Sequence, residues 1–204
     1  MQAQEIFGFV AGAIGVYMAV PQARNIRKLG HGEGVSLTYW AVLVMVNASW
    51  LGYGILLGSP SLIVSNVLGF TTSTMVVTAL INKGWIAWPV IYGIGAVWVL
   101  AFKMLPIAVI TVLLVAMTFN RLPQIYRSVQ NLRAGVASAV SMRSQYYLFT
   151  AMILWEFYSF MSGHVSLVIT TTTGLLLTSV VITLELAGRS KAARLQAIEL
   201  VDGN

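Results

Sequence analysis

Two tryptophans and two smaller polar residues stand at matched positions along the chain. Trp50 lies eight residues before Gly58, and Trp155 lies eight before Gly163. Asn66 follows Ser59 by seven residues, and Thr171 follows Gly163 by eight. If each flank is a helix rising about 1.5 Å per residue, Trp50 sits about 12 Å from its turn and Asn66 about 10 Å. A hydrocarbon layer is about 30 Å thick, so all four side chains fall near its middle, slightly toward the turns. An indole offers a flat apolar face, and an amide offers one acceptor and two donors. Together they suit a small polar ligand with a C–H face. Thr171 brings only a hydroxyl, which makes the set asymmetric. The competing reading is structural. Membrane tryptophans most often anchor at the interface, which suits Trp40, Trp85 and Trp88 near the helix ends but not the deeper pair. A buried asparagine often only bonds a neighbouring helix.

Glu156 is the one acidic residue well inside an apolar segment, and such residues are functional-site candidates. It lies about 100° round the helix from Trp155, so the two cannot share one direction. It either carries a proton or pairs with a Ser, Thr or Tyr in a packing network. Glu185 reads as a solvated segment end. Pro21-Gln22 and Pro123-Gln124 close the first and fifth apolar segments. A proline inside a helix leaves the carbonyl four residues back without its donor, here Tyr17 and Phe119. A kink there could let the following turns swing as a hinge; the alternative is that the helix ends. Gly8, Gly12 and Gly15 suit close helix packing. His31 and His164 fall in different connections and there is no cysteine, so neither a metal site nor a disulfide is expected. No paired-histidine or Ser-His-Asp constellation falls within the apolar segments, so an enzyme is not expected. With no ATP-binding motif, no cofactor is implied.

These side chains need a scaffold, and composition says which. Of 204 residues, 58% are hydrophobic and 9% charged, against about 25% charged in a soluble domain. Long apolar runs recur throughout, at about 5–23, 36–57, 60–81, 85–102, 105–121, 141–162 and 164–187, and each approaches the roughly 17–25 residues that a spanning helix needs. The expectation is an all-α integral membrane protein with seven transmembrane helices. The net charge of +6 does not point to nucleic acid, because the basic residues sit in the gaps between apolar runs. With seven spans, eleven of the twelve lie on one side and only Lys103 on the other. The positive-inside rule then puts the amino terminus outside and the carboxyl terminus in the cytoplasm. No basic stretch precedes Ile6, so the first segment reads as a helix of the mature chain. The residues after Gly188 read as a short amphipathic or disordered tail.

The chain also contains its own partial copy. Pro21-Gln22 matches Pro123-Gln124 at an offset of 102 residues. At an offset of 105, Trp50, Tyr53, Gly58, Leu62 and Gly69 match Trp155, Tyr158, Gly163, Leu167 and Gly174. Three helices per copy is an odd number, so a linker helix must restore the direction and the copies run parallel. This gives a 3+1+3 plan: residues 1–82, a linker at 83–104, 105–188, and a tail at 189–204. Pro-Gln, then Trp50-Leu51-Gly52-Tyr53-Gly54, then Asn66 and Gly69, resembles the PQ-loop/MtN3 superfamily, in particular SWEET and SemiSWEET sugar transporters; parallel repeats of this kind are a known transporter plan. The resemblance implies a facilitative, alternating-access sugar carrier, most naturally in the plasma membrane. Its pocket would be Trp50, Asn66, Trp155 and Thr171, with Thr171 where the family usually has Asn. Its hinges would be Pro21-Gln22 and Pro123-Gln124. The implied partners are a small-molecule substrate and the lipid bilayer, with a homo-oligomer left open. A proton-coupled carrier of amino acids or other small solutes using Glu156, and a membrane receptor without flux, remain as alternatives.

Overall fold

In the computed structural model, residues 3–29, 36–81, 84–135, 140 and 142–202 are described, and the side chains of Pro21, Gln22 and Trp85 lie outside that description, as do His31 and Lys83. Among the described residues the chain is helical: α1 (Ala3–Leu29), α2 (Leu37–Leu57), α3 (Pro60–Leu80), α4 (Gly84–Lys103), α5 (Ile107–Thr118), a 3-10 turn (Phe119–Arg121), α6 (Leu122–Ala134), α7 (Met142–Ser162) and α8 (Val165–Asp202). Local chemistry sets the boundaries. Ser36 and Ser59 cap α2 and α3 by accepting the amide protons of Tyr39 and Leu62, each at 3.2 Å. Such caps satisfy donors that a helix start leaves free. Gly58 ends α2 at φ 63°, and Gly163 ends α7 at φ 70°. Only glycine takes that left-handed conformation cheaply.

Packing follows the same order in both halves. α3 lies between α1 and α2; α8 lies between α5–α6 and α7. The halves meet where α1 packs on α7 and α2 on α5, while α4 packs against α2 and α3. Gly8 and Gly12 let α1 close on α3, since a Cβ on either would collide with Ser61 or Ser65. Gly15 differs from the expectation: nothing lies within 4 Å of its Cβ position. Trp40 also differs, because it packs inward against two hydrophobic clusters.

Five stretches are long and apolar enough to cross a membrane: Leu37–Leu57, Pro60–Leu80, Ile86–Lys103, Ile107–Ala134 and Val165–Ile198. α1 contributes a shorter apolar piece, Ala3–Tyr17. α7 has 21 residues, but Arg143, Gln145 and Glu156 lower its hydropathy. The α2–α3 and α7–α8 turns and the start of α1 share one end of the bundle, here the turn end, tied by the Glu5–Ser59 and Tyr158–Ser59 contacts. The opposite end carries Arg133, Arg189 and Lys191 and is the basic end.

Two features depart from the sequence reading. The residues after Gly188 are not a separate tail: α8 continues to Asp202. Lys191 donates to the Arg133 carbonyl at 2.9 Å, and Leu195 packs at Gly135. Glu185 is not solvated but 2% exposed, because α6 covers it.

Candidate functional site

Trp50 and Trp155 pack, half-buried, against one core cluster made of Tyr53, Leu62, Phe102, Ile110, Leu114, Tyr158 and Leu167. The sequence offset already paired Tyr53 with Tyr158 and Leu62 with Leu167; the fold brings all four into one cluster. Each tryptophan meets its tyrosine edge-on, at 6.0 Å for Trp50–Tyr53 and 5.4 Å for Trp155–Tyr158. That geometry places a ring's positive edge on its neighbour's negative face.

Asn66 and Thr171 stand one turn beyond the two cluster leucines. Asn66 Nδ2 donates to the Leu62 carbonyl at 2.7 Å, and Thr171 Oγ1 donates to the Leu167 carbonyl at 2.9 Å. Both side chains are buried. The amide spends one donor on its own helix and keeps an acceptor and a second donor. Thr171 also lies 2.9 Å from Ser159 Oγ on α7. The repeat-related positions are thus held in the same way, but Thr171 has a partner on the facing helix.

A second set of residues, which the spacing did not reveal, closes the turn end. Tyr158 donates to Ser59 Oγ at 2.7 Å. Glu5 accepts from the Ser61 amide at 2.7 Å and from Ser59 Oγ at 3.2 Å. On the other side Tyr53 faces Ser166, which lies 2.6 Å from Thr111 Oγ1. Ser61 and Ser166 are matched by the 105-residue offset. Each tyrosine therefore reaches the turn region of the opposite half. The offset that pairs the tyrosines was the available signal; an acid in a first helical turn reads as an ordinary end charge. A cleft of about 560 Å³ borders this network and is lined by residues including Glu5, Tyr158, Ser162 and His164.

Glu156 meets Thr172, its hydroxyl 2.5 Å from Oε1, while Oε2 is buried without a hydrogen-bond partner. The hinge positions differ between the halves. α1 runs through Pro21 unbroken to Leu29. At Pro123 the helix is interrupted by the 3-10 turn at 119–121. Phe119, whose carbonyl the proline leaves without its usual donor, accepts the Leu122 amide instead, so the orphaned group is satisfied by a tighter bond. Gln124 and Ser128 on α6 approach Glu185 on α8.

Residues 5–82 match the family MtN3_slv, described as sugar efflux transporter for intercellular exchange. The resemblance read from the Pro-Gln and Trp-Tyr spacing therefore holds over α1, α2 and α3. The MtN3 match covers Trp50 and Asn66 and less than half of the 204-residue chain. At the level of the family it supports a membrane transporter of the sugar efflux kind. No curated protein and no solved structure matches the chain.

Proposed function

We propose that the chain is a facilitative sugar carrier, with α1, the joined α5–α6, and α7 also crossing the membrane to make seven spans in a 3+1+3 plan. The turn end faces outside and the basic end the cytoplasm, most naturally at the plasma membrane. The substrate sits between Trp50 and Trp155, with Asn66 and Thr171 supplying hydrogen bonds. The observation that carries this reading is the convergence of both tryptophans on one cluster within a chain whose first three helices match a sugar efflux family. On this reading the Tyr158–Ser59 and Tyr53–Ser166 contacts, which join the halves at the turn end, would close the outer side. Alternating access requires that this seal break while the cytoplasmic side closes, with Pro21-Gln22 and Pro123-Gln124 as the hinges.

The test is flux of a panel of sugars and amino acids into vesicles containing the purified chain. Equilibration of a sugar without a pH gradient supports the uniporter. Binding without flux would indicate a receptor. A proton-coupled carrier is the second reading, favoured by the buried, unpartnered Oε2 of Glu156. Uphill uptake driven by an imposed pH gradient and abolished by Glu156→Gln would establish it.

A further inference from the structure

The cleft at the turn end is built from α1, the α2–α3 turn and the end of α7. Its chemistry is not repeated on the other side of the molecule. Glu5 corresponds to Ile107 at the 102-residue offset, and Ser162 corresponds to Leu57 at 105. The reciprocal position on α5 and α2 therefore has hydrocarbon where this cleft has a carboxylate and a hydroxyl.

The lining narrows the occupant. A volume of about 560 Å³ falls within the range of small-molecule sites, about 300–1,000 Å³. The floor is the Glu5–Ser59–Tyr158 network, in which Glu5 is 6% and Tyr158 2% exposed. Ser162 and His164 stand beside it, so hydroxyl, carboxylate and imidazole groups mix donors with acceptors. Among the described residues no lysine or arginine lines the cleft, so no permanent cation waits for an anion. A metal ion is not suited either. Ser59 Oγ lies 3.2 and 3.3 Å from the two Glu5 oxygens, and the Ser61 amide donates to one of them at 2.7 Å. No group of three metal-ligating side chains occurs among the described residues. A neutral solute with several hydroxyls satisfies such a lining.

A line of hydroxyls runs from the cleft toward the tryptophans. Trp155, Ser159 and Ser162 stand at i, i+4 and i+7, so they share a face of α7. Ser162 borders the cleft and donates to the Ser159 carbonyl at 2.8 Å, and Ser159 Oγ lies 2.9 Å from Thr171 Oγ1. Seven residues of helix place the cleft edge about 10 Å from the level of Trp155. The first half has no such line. Leu57 and Gly54 stand at the matched positions, and a Cβ on Gly54 would lie 2.8 Å from that of Leu62. Ser159 is fully buried, so in this arrangement the line is closed between cleft and pocket.

We propose that the turn-end cleft is a second binding site, for a neutral hydroxyl-rich solute, and that Ser162, Ser159 and Thr171 link it to the tryptophan pocket along the second half alone. A solute held there waits outside the Tyr158–Ser59 contact and passes inward when that contact breaks. The site stands on the cleft itself; its part in passage rests on the sugar-carrier reading.

Leu57→Cys puts a thiol in the cleft wall of a chain with no native cysteine. In the purified full chain, its modification by a water-soluble thiol reagent should slow when glucose or sucrose is added, and the effect should saturate. Asn66→Ala disables the pocket and should leave this protection intact. Ser162→Leu, which copies the first half, should raise the sugar concentration for half protection about fivefold, as the loss of one hydrogen bond does. Ser162→Ala should do the same and serves if the leucine variant does not fold. The proposal is overturned by an absence of protection, by protection that vanishes in the Asn66→Ala background, or by protection from sodium or tetramethylammonium ions in place of sugar. Flux separates this site from the carrier reading. Sugar flux without protection leaves the carrier and removes the cleft site; protection without flux keeps the site and removes the carrier. Where both hold, Ser162→Leu and Ser159→Gly should raise KM for entry from the turn end more than they lower the maximal rate. A change confined to the maximal rate overturns the link.

Discussion

Tyr158, on the second helix of one half, gives its phenolic proton to Ser59, in the turn of the other half, across 2.7 Å. Tyr53 approaches Ser166 in the reciprocal direction. The two contacts bridge the halves at the turn end, and Glu5 ties the first of them to α1 through Ser59.

Replacing Tyr158 by Phe keeps the ring and removes the bond. A net hydrogen bond contributes about 1 kcal/mol, which is roughly a fivefold change in a two-state population. Ser162 borders the cleft above this contact, and the chain has no native cysteine. A Ser162→Cys reporter should therefore be modified about fivefold faster in the Tyr158→Phe background by a membrane-impermeant thiol reagent. Equal rates would mean that the contact does not hold the end closed.

Trp50→Ala and Asn66→Ala should each abolish flux while leaving folded protein in the membrane. Among the described residues Asn66 bonds its own helix, so its loss removes no hydrogen bond between helices, whereas Trp50→Ala also removes packing against the shared cluster and its folded yield must be measured. Size-exclusion profiles alongside flux separate the two effects. Undiminished flux in both variants would refute the pocket.

Gly12→Val should destabilise the chain by about 1–3 kcal/mol, the usual cost of overpacking, because its Cβ would collide with Ser65. Gly15→Ala should cost nothing measurable, because nothing lies within 4 Å of that position. Thermal unfolding in detergent checks the pair, and equal losses would contradict the described α1–α3 packing.

Pro123→Ala restores a backbone donor at the position where the helix is interrupted. An interior proline costs a helix about 3 kcal/mol, so the alanine variant should favour one continuous helix from α5 into α6 and slow exchange. Pro21→Ala should do less, since α1 already runs through that position. A rate comparison of the two variants decides this, and equal slowing would argue against a hinge confined to one half.

The resemblance of the first three helices and the pairing of Trp50 with Trp155 were legible because identical residues recur at one offset, and a helix converts spacing into depth. Thr171 was legible as a position, while its bond to Ser159 depends on how α7 and α8 face each other. Glu185 was misread because an acid near the end of an apolar run looks solvated until another helix covers it. Spacing cannot show that α6 lies there. The continuation of α8 past Gly188 was missed for the same reason. Lys191 and Arg189 are held by the Arg133 and Val140 carbonyls and Leu195 packs at Gly135, all from a different stretch of chain.

One helix continues through its proline without a break, and its counterpart is interrupted by a 3-10 turn at 119–121. The copies are no longer interchangeable parts. A chain made of the first copy twice would have two uninterrupted helices, and a chain made of the second twice would have two interruptions and two buried acids. If the hinge reading holds, the two copies divide the labour. Damage along α1 should appear as lost protein, and damage along α5–α6 as lost speed.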